Sequence, residues 1–180
     1  LMKILGGALV PDNGVIHING EAAQIATPAD ALRAGVAVIY QEFNLVPTLT
    51  ARENIFLGQE STSGGFIRRR EERQKAKELF QRIGVVVDPD APCRNLSVAH
   101  QQVVEIAKAL LLKAKILVMD EPSATLTVRE VERLFDVIRD LRSQGIGIIY
   151  ISHRLDEIEA IADRVTVLRD GENVGVRQVI

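Results

Sequence analysis

The chain has 180 residues, 47% of them hydrophobic and 26% charged, with a formal net charge of −2. That is enough apolar material for one cored domain, or for a core with a small attached lobe. With charge so nearly balanced and no run of Lys and Arg long enough to cover a face, a nucleic-acid surface is not expected. Cys93 is the only cysteine, which excludes an internal disulfide framework or thiolate metal cluster and suits a reducing compartment. No apolar stretch reaches the roughly 20 residues needed to span a bilayer, and no signal peptide is recognisable.

In chain order, "LMKILGG" opens without a polar lead-in, so Leu1 reads as the interior of a helix and the sequence as a fragment. Strands are expected at Val15–Ile18, Val36–Tyr40, Ile116–Met119, Ile146–Ile151 and Arg164–Leu168, where apolar residues alternate or run together. Helices are expected to start at Thr27, where "TPAD" puts proline in the first turn, and at Thr50 and Thr127, where "TARE" and "TVRE" are capping boxes. From Leu49 to Leu112 helical patterns dominate. Residues 49–112 therefore read as a helical lobe inserted between two parts of an α/β core, 1–48 and 113–180. Within the lobe, Ser61–Gly65 ("STSGG") reads as a loop, and "RRREERQKAKELF" from Arg68 as a solvated charged helix. The helix Thr127–Gln144 joins two runs that are apolar on both faces, the pattern of a crossover in a buried parallel sheet. Asp170-Gly171 in "LRDGENVGV" marks a hairpin turn of the primed type.

Candidate chemistry gathers where strands end. Asp120 and Glu121 follow the strand "ILVM" directly, and ligand sites in open α/β sheets gather at the carboxyl ends of strands. Asp120 could hold Mg²⁺ through water, and Glu121 could polarise an attacking water. An isolated Asp-Glu pair equally fits a helix cap, a solvated strand end or a phosphate-accepting aspartate. His153 follows "GIIYIS" and could lie at the same crevice edge, or simply start a helix. Gln41 follows a third strand and could ligate a cation or orient water, or belong to an ordinary loop. Ser97 can cap the helix of "NLSVAHQQVVEIAKALL", and a free helix N-terminus suits a phosphate. Individually each feature is ambiguous, but the order strand-Gln, cap-Ser, strand-Asp-Glu, strand-His is hard to obtain by accident.

That order resembles the nucleotide-binding cassette of ABC transporters. Gln41 matches its Q-loop glutamine, "LSVAHQQ" the signature motif, "ILVMDEP" Walker B, "SATLT" the D-loop and "ISHR" the switch histidine. More narrowly, "YQEFNLVPTLTARENIFLG", "VEIAKAL", "GIIYISHRLDEI" and "VTVLRDG" are similar to the first cassette of the two-cassette ATPases that energise ribose, xylose and galactoside import. The resemblance implies a P-loop NTPase-like (RecA-like) parallel sheet core with an inserted helical lobe, and ATP and Mg²⁺ as ligands. It also implies Asp120 and Gln41 at the metal, Glu121 as general base and His153 at the γ-phosphate. Ser97, Val98, Ala99, His100 and Gln101 would lie against nucleotide held by an opposite cassette. The implied partners are transmembrane permease subunits docking near Phe43–Arg52, a second cassette in the same polypeptide or a dimer, and indirectly a sugar-binding protein. The implied location is the cytoplasmic face of the inner membrane. Two departures stand out. No G-x-x-x-x-G-K-[ST] occurs in the chain, and Val98-Ala99 stand where the signature usually has glycine. The 180 residues alone are therefore expected not to hydrolyse ATP, and a non-catalytic docking remnant is the competing expectation. An ABC-type ATPase of DNA repair or chromosome structure would need long heptad arms, for which the lobe is too short.

Overall fold

The computed structural model describes residues 1–63 and 66–179. The elements run α1 (Met2–Leu5), β1 (Ile16–Ile18), β2 (Glu21–Ala23), α2 (Pro28–Arg33), β3 (Val36–Ile39), α3 (Ala51–Phe56), β4 (Thr62–Ser63), β5 (Phe66–Ile67), α4 (Arg69–Ile83), α5 (Val98–Leu111), β6 (Ile116–Asp120), α6 (Val128–Ser143), β7 (Gly147–Ile151), α7 (Leu155–Ile161), β8 (Arg164–Arg169) and β9 (Glu172–Gln178).

Three helix starts follow from local chemistry. Thr27, Thr50 and Thr127 are the residues before α2, α3 and α6. The carboxylates of Asp30, Glu53 and Glu130 accept the backbone N–H groups of Thr27, Thr50 and Thr127 at 2.8, 2.9 and 2.9 Å. Each bond satisfies a donor that the helix geometry would otherwise leave free.

β3, β6 and β7 form a parallel sheet in that order, with Val36 opposite Ile116 and Asp120 opposite Ile151. Period-two alternation divides its side chains between two layers. Ala37, Ile39, Leu117 and Met119 face a core built with α3, α4, α5 and α6, and Val36 and Val118 face a smaller one with Ile25 and Ala31, flanked by Met2, Ile16 and Ile18. Leu117, Val118 and Met119 are fully buried. On the usual scale each contributes about 1.5–3 kcal/mol relative to an exposed position.

Several expectations are corrected. β7 is not buried on both faces: it is an edge of its sheet among the described residues, and Ile149 is 39% exposed. β3 stops at Ile39, leaving Tyr40 outside it, and β7 starts at Gly147. α7 begins at Leu155, so Ser152 and His153 stand in the turn before it and do not open the helix. Thr62 and Ser63 are not loop but pair with Ile67 and Phe66, while Gly64 and Gly65 lie outside the described residues. The structure adds a β1–β2 hairpin, for which Asn19-Gly20 supplies the two positive-φ residues that its primed turn needs. Asp170-Gly171 does so for β8–β9, where Arg169 pairs with Glu172.

The solvated reading of α4 fails at Glu72, which is 1% exposed. Its Oε2 accepts from Arg52 Nη1 at 3.1 Å and its Oε1 from the Ser61 N–H at 3.0 Å. Arg52 also reaches Asp90 at 3.3 Å and Glu53 at 3.5 Å. Sequence periodicity cannot reveal such pairings, because Arg52 lies 20 residues from Glu72 and 38 from Asp90.

Candidate functional site

The parallel register brings three loops to one end of the sheet. Ile39 lies opposite Met119, so Gln41 emerges beside the segment that carries Asp120. Asp120 lies opposite Ile151, so Glu121 emerges beside Ser152 and His153. Glu121 has φ +45, a left-handed conformation that costs a non-glycine residue roughly 1–2 kcal/mol. Its N–H donates to the Ile151 carbonyl at 3.0 Å, holding the turn against β7. In that conformation Glu121 Oε1 sits 3.1 Å from His153 Nδ1, with Glu121 one-third exposed and His153 76% exposed. An acid and an imidazole in contact at an open strand edge can polarise water or share a proton.

Glu157 underlies this edge. Its Oε2 accepts hydroxyls from Ser123 at 2.8 Å, Tyr150 at 2.9 Å and Ser152 at 2.9 Å. Burial, reinforced by the neighbouring Glu157 carboxylate, pushes the Tyr150 hydroxyl well above its ordinary range. Glu157 takes no role from any sequence motif, and its place emerges only in three dimensions.

Ser97 caps α5 by accepting the His100 N–H at 3.3 Å. Val98, Ala99 and His100 are half-buried in its first turn, and the Gln101 amide turns back to the Leu96 carbonyl at 3.0 Å. Hydrogen bonds from the Thr127 backbone and hydroxyl, aided by the charges of Arg133 and His100, hold the Glu130 carboxyl below its usual range. None of the hydrogen bonds or ion pairs of the described residues joins Ser97–Gln101 directly to Glu121 or His153. Further along α5, Glu105 accepts the Asn44 N–H at 2.8 Å and ties the loop after Gln41 to this helix. Gln41 itself is exposed.

A recess of about 510 Å³ lies at the other end of the sheet, lined by Gly35, Lys113 and Lys115. Those residues precede β3 and β6, so the recess takes no part in the carboxyl-end site. No group of three His, Cys, Asp or Glu converges to hold a metal among the described residues.

The architecture matches solved structures closely. A nucleotide-free ATP-binding cassette from an ABC transporter superposes with a TM-score of 0.85 at 22% identity, over 99% of this chain and 75% of that one. An ATP-binding cassette in a dimeric post-hydrolysis state bound to ADP and Pi gives 0.78 at 22% identity, over 99% and 79%. The fold is thus the P-loop NTPase fold of ATP-binding cassettes. Residues 1–124 match the family described as ABC transporter, and the chain belongs to that family.

Curated relatives narrow the likeness. The chain is 53% identical over 179 residues to the ribose import ATP-binding protein RbsA 3 of Rubrobacter xylanophilus, covering 99% of this chain and 36% of the relative. It is 53% identical over 180 residues to the ribose import ATP-binding protein RbsA of Hahella chejuensis, covering 99% and 36%. The chain therefore spans about a third of the length of the curated relatives it matches.

Proposed function

We propose that this chain is part of an ATPase that energises sugar import, and that its carboxyl-end loops form the hydrolytic side of a nucleotide site. The observation that carries the reading is the 3.1 Å contact between Glu121 and His153, with Asp120 at the adjoining strand end. Glu121 is the general base that takes a proton from attacking water, and His153 contacts the terminal phosphate. Asp120 and Gln41 are the candidates to hold Mg²⁺. The donor set suits that ion, which keeps several waters and is bound by one or two carboxylates together with substrate phosphates, so a three-residue cluster is not required. Bound Mg²⁺ supplies charge neutralisation on the transferring phosphoryl group.

The fit to ATP is divided. Groups for the terminal phosphate are present, whereas the 180 residues contain no G-x-x-x-x-G-K-[ST] to cradle the inner phosphates. The open edge of β7 and its exposed Ile149 are consistent with a further strand, carrying that loop, pairing there. The isolated 180 residues accordingly hydrolyse no ATP at a useful rate. Ser97 and the Val98–Gln101 turn face nucleotide held by a second cassette, where the methyl of Ala99 limits the approach of backbone to phosphate. Residues 49–112 act as a lobe, with Phe43–Arg52 docking on transmembrane permease subunits at the cytoplasmic face of the membrane. A sugar-binding protein acts upstream of those subunits.

The absent phosphate cradle favours one second reading, a cassette remnant that docks without catalysis. ATPase and sugar-uptake assays on the full-length gene product with its permease separate the two. ATP-dependent uptake that Glu121→Gln abolishes supports the enzyme; docking without hydrolysis supports the remnant. Tight Mg-ATP binding by the 180 residues alone would contradict the division of the site.

A further inference from the structure

Glu157 is 1% exposed, and the roles assigned above do not use it. A buried carboxylate is costly, and a hydrophobic side chain of similar volume would fill the space at less expense. What this one does is local and specific. Ser123, Tyr150 and Ser152 all donate to a single oxygen, Oε2, while Arg154 Nε lies 3.2 Å from Oε1 without the alignment of a hydrogen bond. Ser152 Oγ in turn accepts the Arg154 N–H at 3.0 Å, closing the turn between β7 and α7.

The donors come from the two segments that matter. Ser123 stands two residues after Glu121, and Ser152 immediately precedes His153. Each hydroxyl has one proton to give, and giving it to Oε2 fixes both the side-chain rotamer and the backbone that carries it. We propose that Glu157 is a positioning residue for hydrolysis: by gripping Ser123 and Ser152 with one oxygen, it holds the Glu121 turn and the His153 turn at the separation their contact requires. The proposal rests on the roles given to Glu121 and His153 above. Misplacement of reacting groups by about 1 Å can cost on the order of a hundredfold in rate, so the grip bears on turnover more than on nucleotide affinity.

The test uses the full-length gene product and reads kcat, KM for Mg-ATP and the thermal midpoint of each variant. Glu157→Gln is expected to lower kcat roughly tenfold or more with KM within about twofold, the split of an interaction that acts in the transition state. Ser152→Ala is expected to lower kcat roughly threefold in the native background and to have almost no further effect beside Glu157→Gln, a non-additivity that marks a shared grip. A lowered thermal midpoint with unchanged kcat, or additive losses in the double variant, overturns the proposal. Ser152→Ala keeps the test open if Glu157→Gln does not fold, since unchanged kcat in that variant overturns it equally. Glu121→Gln and His153→Ala run in parallel. If both retain hydrolysis, the proposed function and this inference fail together; if both are silent while Glu157→Gln is fully active, only the inference fails.

Discussion

Glu121 and His153 touch at 3.1 Å because Asp120 and Ile151 are partners in a parallel ladder, so the residues just beyond them leave the sheet side by side. In the full-length protein Glu121→Gln should reduce single-turnover ATP hydrolysis by about a hundredfold or more while leaving nucleotide binding intact, since the amide keeps the shape but cannot take a proton. His153→Ala should produce a loss of similar order. Rapid-quench measurement of phosphate release checks both, and native rates in Glu121→Gln would remove it as the base.

Arg52 and Glu72 form a pair in which both side chains are almost fully buried. Arg52→Met should cost about 3–5 kcal/mol in urea denaturation, because it strands the Glu72 carboxylate without a counter-charge. The double replacement Arg52→Met/Glu72→Met should recover most of that loss. If the double variant is no more stable than the single one, charge stranding is not the cause.

Glu105 titrates in the opposite sense to the capping carboxylates. Burial raises its carboxyl above the usual range, only partly offset by the Lys108 charge and the Asn44 N–H. The folded state therefore holds this proton more tightly than the unfolded chain does. Its contribution to stability is complete below the unfolded pKa and is lost as pH rises through the elevated folded value. Glu105→Gln keeps an acceptor for Asn44 and abolishes the titration. Denaturation curves should show the variant gaining on the native protein as pH rises from roughly the ordinary carboxylate pKa, and the gain levelling off once the raised folded value is passed. A stability difference that does not vary with pH would show that Glu105 is ionised alike in both states.

Gly7 has φ +71, and a Cβ built there would fall 2.1 Å from the Thr27 carbonyl oxygen. Backbone must move to admit it, so Gly7→Ala should destabilise by about 2 kcal/mol or more, read as a shift of the thermal midpoint. A midpoint unchanged within error would mean that α1 does not hold its position against the start of α2.

What the sequence disclosed was whatever is encoded locally. Thr27, Thr50 and Thr127 each open a helix because a cap needs only four residues, and β6 was visible as a short apolar run. Gln41, Asp120, Glu121 and His153 each read as strand-end residues, and the register of β3, β6 and β7 explains how they come to one end of the sheet. Ser97 is carried separately, at the head of α5. Hidden from the sequence were the buried polar groups. Glu72 sits in a stretch that reads as a solvated charged helix, and Glu157 takes no role from any motif, because their partners arrive from distant segments. β7 read as a central strand since its composition reports apolar character and not whether a neighbour lies on its far side.

That far side has a practical meaning for anyone handling these 180 residues by themselves. Among the described residues β7 has one unpaired row of N–H and C=O groups, a template for another chain, and Ile149 adds an apolar contact to it. The β8–β9 ribbon compounds the hazard, with Val167, Leu168, Val174 and Val176 each about half exposed or more. Expressed alone, the segment should self-associate as concentration rises, and its solubility should improve on adding a strand that occupies the vacant lane beside β7.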